Sequence, residues 1–290
     1  MTTEQQKSSS REENEKNDLH KDVEVKSIPF LDEELKYFII KTSMNCKGNI
    51  LVFSGWPGSP ADPSANLKYA VNLDNQLIHL PATSFRLSSL TDYGYNLIVF
   101  DYPGFWFSPG PFSLPNGIQV GVKILTNLKN DYPNVPIYVF GHSFGGAMAL
   151  NCVSEFKNVK KMFFHSPTLP TDCFESGDAV NELMALEKLV ADQHFVNSTE
   201  KWWESERDGQ IFIDKLQLEN KITKINELAI PLKVVIGKND GIFSATKAKD
   251  FYSKFNVDVE ILDNAPHSDT YYLPELLKQQ VLRIINYFNT

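Results

Sequence analysis

The sequence predicts an α/β protein with a mostly parallel central sheet and helices on both of its faces. Three observations carry that expectation. Short β-rich runs recur along the chain, several of them are apolar throughout, and helical patterns fall between them. A strand inside a parallel sheet is covered on both faces, so it has no side that must be polar.

The elements follow in order. Residues 1–27, from MTTEQQKSSS to DVEVKS, carry mixed charge, no aromatic residue and no apolar signal core, and are expected to form a disordered, solvated tail. Strands are expected at Tyr37–Lys41, Asn49–Phe53, Tyr95–Phe100, Ile137–Phe140, Lys161–His165, Leu232–Ile236 and Val257–Leu262. Helical periodicity appears at Ile118–Leu128, Ala147–Phe156, Ser244–Phe255 and Pro274–Phe288. Residues 28–167 and 231–290 therefore read as one core. Residues 168–230, polar, helix-leaning and containing Trp202-Trp203, are too long for a plain connection and read as an inserted lid or cap.

Composition excludes several function classes. A net charge of -8 and a pI near 5.3, with no Lys/Arg cluster, argue against a nucleic-acid-binding face. No apolar run approaches the roughly 18–20 residues that span a bilayer. Cys46, Cys152 and Cys173 are odd in number and widely spaced, with neither a disulfide framework nor metal-site spacing. The chain reads as a reduced, cytoplasmic protein, although export without a signal would leave no trace here.

The chemistry concentrates at PIYVFGHSFGGAMALN, residues 136–151. A strand ends in Gly141-His142-Ser143-Phe144-Gly145-Gly146 and a helix follows. A Gly-x-Ser-x-Gly match alone is only moderately specific. Here it has the context that an exposed nucleophile requires: strand before, helix after, and glycines where a Cβ would collide in a strained turn. Such a turn lifts Ser143 Oγ above the carboxyl end of the sheet. It also turns the backbone N–H of Phe144 towards a developing oxyanion.

A serine hydroxyl needs a base to take its proton and a carboxylate to orient that base. After such a turn the partners come in the order acid, then histidine. His79 precedes the motif, His20 lies in the tail and His194 in the insertion. His142 sits inside the turn, and His165 ends a strand as a packed residue. His267 remains, in the loop Asp263–Asp269 after the last strand. Asp240, in Gly237-Lys238-Asn239-Asp240-Gly241 after the preceding strand, is the expected acid; Asp263 and Asp269 are the fallbacks, and Asp269 is expected to support the histidine loop. The second oxyanion donor is assigned to the N–H of Trp56, in Ser54-Gly55-Trp56-Pro57-Gly58, since Pro57 has no N–H to give.

With those residues in place, the chain resembles the α/β-hydrolase fold superfamily over residues 35–290, closest to serine-aminopeptidase-like and monoacylglycerol-lipase-like hydrolases. FGHSFGG resembles the family's nucleophile motif, GKNDGIF its acid loop and PHSD its histidine loop. The resemblance thus implies the same roles for Ser143, Asp240 and His267. Asp101–Ser108 (DYPGFWFS) is similar to a structural signature of the family, but Trp106 stands where a glycine is usual and Pro103 where arginine is frequent. Ser54-Gly55 stands where the family often has His-Gly, and 59–91 is longer than its usual crossover.

The expected activity is hydrolysis of a carboxylic ester or thioester through an acyl-enzyme, on a small-molecule or acylated substrate, with no metal or organic cofactor implied. Phe105–Phe107 and Trp202-Trp203 hint at an apolar acyl group, though aromatic clusters are more often packing. Two other readings stay open: a peptidase-type hydrolase, and a silent binding module on the same fold.

Overall fold

The computed structural model describes residues 22–55, 70–73, 76–79, 87–106, 108–176, 213–267 and 274–290. Ten strands occur among them: β1 (Val23–Phe30), β2 (Glu33–Ile40), β3 (Gly48–Phe53), β4 (Ala70–Leu73), β5 (Gln76–His79), β6 (Tyr95–Phe100), β7 (Ile137–His142), β8 (Lys161–His165), β9 (Leu232–Gly237) and β10 (Asp258–Leu262). The helices are α1 (Leu114–Asp131), α2 (Phe144–Glu155), α3 (Leu218–Glu227), α4 (Ala245–Ser253) and α5 (Pro274–Asn289).

Side chains alternate along each strand, and here both sets meet a hydrophobic layer. In β3, Leu51 and Phe53 join the core cluster that holds α1 to α4, while Ile50 and Val52 join the one under α5. In β7, Val139 faces the first layer and Tyr138 and Phe140 the second. All six positions of β3, β6 and β7 are buried. That double cover is the physical reason for the uninterrupted apolar runs.

The eight-stranded sheet has the order β1-β2-β6-β3-β7-β8-β9-β10, and β4 and β5 form a separate antiparallel hairpin. Within the eight-stranded sheet only β1–β2 and β2–β6 pair antiparallel; the pairs from β6 through β10 are all parallel. The chain steps from β3 outward to β6, then returns to place β7 on the other side of β3. The strand order reverses at that point, between the carboxyl ends of β3 and β7, the place where sheets of this kind bind their ligands.

Three expectations change. Residues 23–27, assigned to the tail, belong to β1. Its Glu24 and Lys26 read as solvated charge, as suits an edge strand, and they pair with Lys41 and with Asp131 of α1. Helix α1 starts at Leu114, four residues before its apolar periodicity, because Ser113 caps it by accepting from the N–H of Asn116 and Pro115 fits its first turn. The expected insertion 168–230 is also too long at its carboxyl end. Leu218, Ile222 and Ile225 of α3 enter the main core, and buried Asn151 of α2 donates to the Leu216 carbonyl at 3.1 Å. Trp202-Trp203 lie outside the described residues, as does most of the long 59–91 crossover, although β4 and β5 fall within it. Among the described residues no helix is long and apolar enough to cross a membrane.

Candidate active site

Ser143 stands between β7 and α2 with φ 51° and ψ −124°, a conformation that a non-glycine residue adopts only at a cost. Its surroundings hold it there. The Ser143 N–H donates to the His165 carbonyl at 3.1 Å, and the Ser143 carbonyl accepts from the N–H groups of Gly146 and Thr168, each at 2.9 Å. A Cβ on Gly145 would run into the backbone carbonyl of Phe53, so the elbow can press against the end of β3 only with glycine there. Gly55 lies against Ser143 itself: a Cβ there would come within 3.2 Å of Ser143 Cβ.

His267 and Asp240 arrive from two adjacent strand ends. The acid loop after β9 and the histidine loop after β10 are laced together, Lys238 N–H to the Leu262 carbonyl at 2.8 Å and Asn239 N–H to the Ala265 carbonyl at 3.1 Å. Gly237 makes this crossing possible, because any Cβ there would strike the Ala265 carbonyl. The lacing brings His267 Nδ1 to 2.8 Å from Asp240 Oδ2 and His267 Nε2 to 3.1 Å from Ser143 Oγ. A carboxylate on Nδ1 selects the tautomer whose Nε2 can accept the serine proton.

Asp240 is buried, with its side chain fully covered. Burial pushes its carboxyl up. The hydrogen bond from His267, that residue's charge, and the N–H groups of Phe243 and Ile242 on Oδ1 (2.9 and 3.0 Å) outweigh it and hold Asp240 below the usual value. Asp263, a fallback acid, is exposed and pairs with Lys238, while Asp269 lies outside the described residues.

Two more histidines lie close by. The rings of His165 and His267 both sit 5.6 Å from that of His142, centroid to centroid. His142 Nε2 is 3.5 Å from the backbone oxygen of His267, so this ring lies under the histidine loop. Burial keeps both His142 and His165 neutral, His165 being pushed down to about 3.

Phe144, first residue of α2, packs edge-on against Tyr102 and Phe112. Trp56, the other expected oxyanion donor, lies outside the described residues, but the strand end leading to it is visible. Tyr102 Oη donates to the Ser54 carbonyl at 3.2 Å, on the residue that stands where the family often has histidine. Trp106 keeps a left-handed φ of 51° where glycine is usual, with its ring buried. Phe107 lies outside the described residues.

A sequence family described as alpha/beta hydrolase fold matches residues 48–193, half of the chain. The chain belongs to the alpha/beta hydrolase fold family. Its likeness to individual hydrolases is more distant. It is 25% identical over 210 residues to a protein of Acanthamoeba polyphaga mimivirus that bears an alpha/beta hydrolase name. That alignment takes in 70% of this chain and 66% of the relative, so the chain spans just under two thirds of its length. An esterase of Pyrococcus furiosus superposes with a TM-score of 0.63 at 20% identity, covering 95% of this chain and 94% of the esterase. A soluble variant of monoglyceride lipase from Saccharomyces cerevisiae, solved with a substrate analog, gives 0.62 at 14% identity over 91% and 94% of the two chains. At such identities these likenesses speak for the hydrolase fold.

Phe243 and the lacing at Gly237 escaped the sequence reading. Phe243 lies inside the GKNDGIF loop, but nothing in a single sequence distinguishes a ring set against the histidine (centroids 5.4 Å apart) from ordinary core.

Proposed function

We propose that this protein is a serine hydrolase that cleaves carboxylic ester or thioester bonds through an acyl-enzyme. The observation that carries the reading is the Ser143–His267–Asp240 relay, 3.1 Å and then 2.8 Å, at the carboxyl edge of the sheet.

In the first half-reaction His267 Nε2 takes the Ser143 proton as Oγ attacks the substrate carbonyl carbon. The carbonyl oxygen becomes an oxyanion, held by the N–H of Phe144 and, from the loop after β3, that of Trp56. Collapse breaks the bond to the leaving alcohol or thiol, which takes the proton from His267 Nε2. A water then gives its proton to the same nitrogen, attacks the acyl carbon, and releases the acid as Ser143 regains its hydrogen. Asp240 stays ionised throughout and steadies the imidazolium. No step calls for a metal or an organic cofactor.

An apolar acyl group accords with Tyr102, Phe105 and Phe112, which pack together beside Phe144. A panel of p-nitrophenyl esters and acyl thioesters of graded length tests both parts. Turnover that rises beyond acetate supports an apolar pocket, turnover that falls contradicts it, and no turnover of any member by wild type contradicts the esterase reading.

A further inference from the structure

Phe174 lies 66 residues upstream of Asp240 and two before the last described residue ahead of 177–212. An antiparallel bridge pairs it with Phe243 in the acid loop. On either side of that bridge Glu175 N–H donates to the Ile242 carbonyl at 3.0 Å and Ser244 N–H to the Cys173 carbonyl at 2.9 Å. Lys247 Nζ adds a bond to the Phe174 carbonyl at 2.9 Å. The two rings meet edge to face, centroids 4.8 Å apart, and both are buried.

The other side of Phe243 touches the proposed machinery twice. Its N–H is one of two on Asp240 Oδ1, and its ring lies 5.4 Å from that of His267. Phe174 therefore backs a residue that touches the acid through its backbone N–H and the base through its ring. We propose that Phe174 is a positioning residue that aligns the Asp240–His267 pair through Phe243, so that the strap entering the insertion and the proposed relay are mechanically one unit. This rests on the serine-hydrolase reading above.

The physical step is packing. A ring removed at Phe174 leaves space into which Phe243 can move, and a packed core passes such a shift to the next contact. Movement of Phe243 withdraws a tilted ring contact from the imidazole and disturbs one N–H on the carboxylate. Loss of alignment slows the chemical step and leaves ground-state binding nearly alone.

The test compares full-length wild type, Phe174→Ala, Phe174→Leu, Phe243→Leu and the double variant F174A/F243L, well below their thermal midpoints. It reads the rate constant for labelling by a fluorophosphonate, kcat and KM on a p-nitrophenyl ester, and the low-field proton resonance of the Asp240–His267 bond. Phe174→Ala is expected to label about 10-fold more slowly, with the loss in kcat and KM nearly unchanged. The low-field resonance should shift or broaden, and Phe174→Leu should recover most of the rate. The double variant should be no more than about 2-fold slower than Phe243→Leu, since both act on one alignment. A wild-type labelling rate in Phe174→Ala would overturn the proposal, as would a slower rate with an unmoved resonance. Should Phe174→Ala not fold, Phe174→Leu decides: slower labelling with a shifted resonance supports the proposal, and wild-type values of both overturn it. Wild type that takes no label overturns the hydrolase reading itself, an outcome distinct from wild type and Phe174→Ala labelling alike.

Discussion

His267 Nε2 lies 3.1 Å from Ser143 Oγ although 124 residues separate them in the chain. Parallel strand order does the joining. β7, β8, β9 and β10 are consecutive neighbours with the same direction, so the loops at their carboxyl ends form one continuous rim. Ser143 follows the first of these strands, Asp240 the third and His267 the fourth.

Removal of the proposed nucleophile or of its base should abolish turnover. Ser143→Ala and His267→Ala are each expected to lower kcat on the order of 10⁶-fold, and Asp240→Asn about 10⁴-fold, the losses seen when such a unit is broken elsewhere. Steady-state kinetics on a p-nitrophenyl ester measures all three. A loss in Asp240→Asn below about tenfold would contradict the role given to that carboxylate.

Gly237→Ala tests the lacing of the two loops. The new methyl would strike the Ala265 carbonyl and part the histidine loop from the acid loop. The expected result is a fall in kcat of about 10²-fold, the scale for displacing a catalytic group by about 1 Å. Crystallography or the low-field proton resonance of His267 would show the displacement directly.

Tyr102→Phe removes a single hydroxyl from the bond to the Ser54 carbonyl. Stability should fall by about 1 kcal/mol in chemical denaturation, the net worth of an ordinary hydrogen bond. If that bond steadies the loop that leads to Trp56, kcat should fall as well while KM holds.

Acid should weaken the fold through its buried histidines. His165 is held neutral down to about pH 3, whereas in the unfolded chain it takes a proton near pH 6.5. A folded value below the unfolded one gives stability that is complete above pH 6.5 and is lost as pH falls toward 3, by at most about 1.4 kcal/mol per pH unit for one such group. His142 shifts in the same direction and adds to the slope. Asp240, also depressed, extends the loss below the ordinary carboxylate range. Urea denaturation between pH 7 and pH 4 should show this decline, and His165→Leu should make it shallower. An unchanged slope in His165→Leu would contradict the assignment.

The features legible in the sequence were those set by local rules. Strands covered on both faces announce themselves as apolar runs, and Tyr95–Phe100 and Lys161–His165 fall at the expected bounds. The serine turn was legible because its glycines fall between an apolar strand and a helical run, although the atoms they make room for include Phe53 and Pro167, on or just beyond neighbouring strands. His267 was reachable by chain order. β1 was hidden because an edge strand may be charged, and the start of α1 because Pro115, Asn116 and Gly117 resemble a turn until Ser113 is seen to cap it. The core role of α3 and the support of His267 by Phe243 depend on which distant surfaces meet, which residue types alone do not encode.

The most direct measurement is fluorophosphonate labelling of the wild-type protein followed by peptide mapping of the adduct. The account predicts one stoichiometric adduct on Ser143, absent from Ser143→Ala and strongly slowed in His267→Ala. A folded wild-type protein that takes no label, or takes it on another residue, would contradict it.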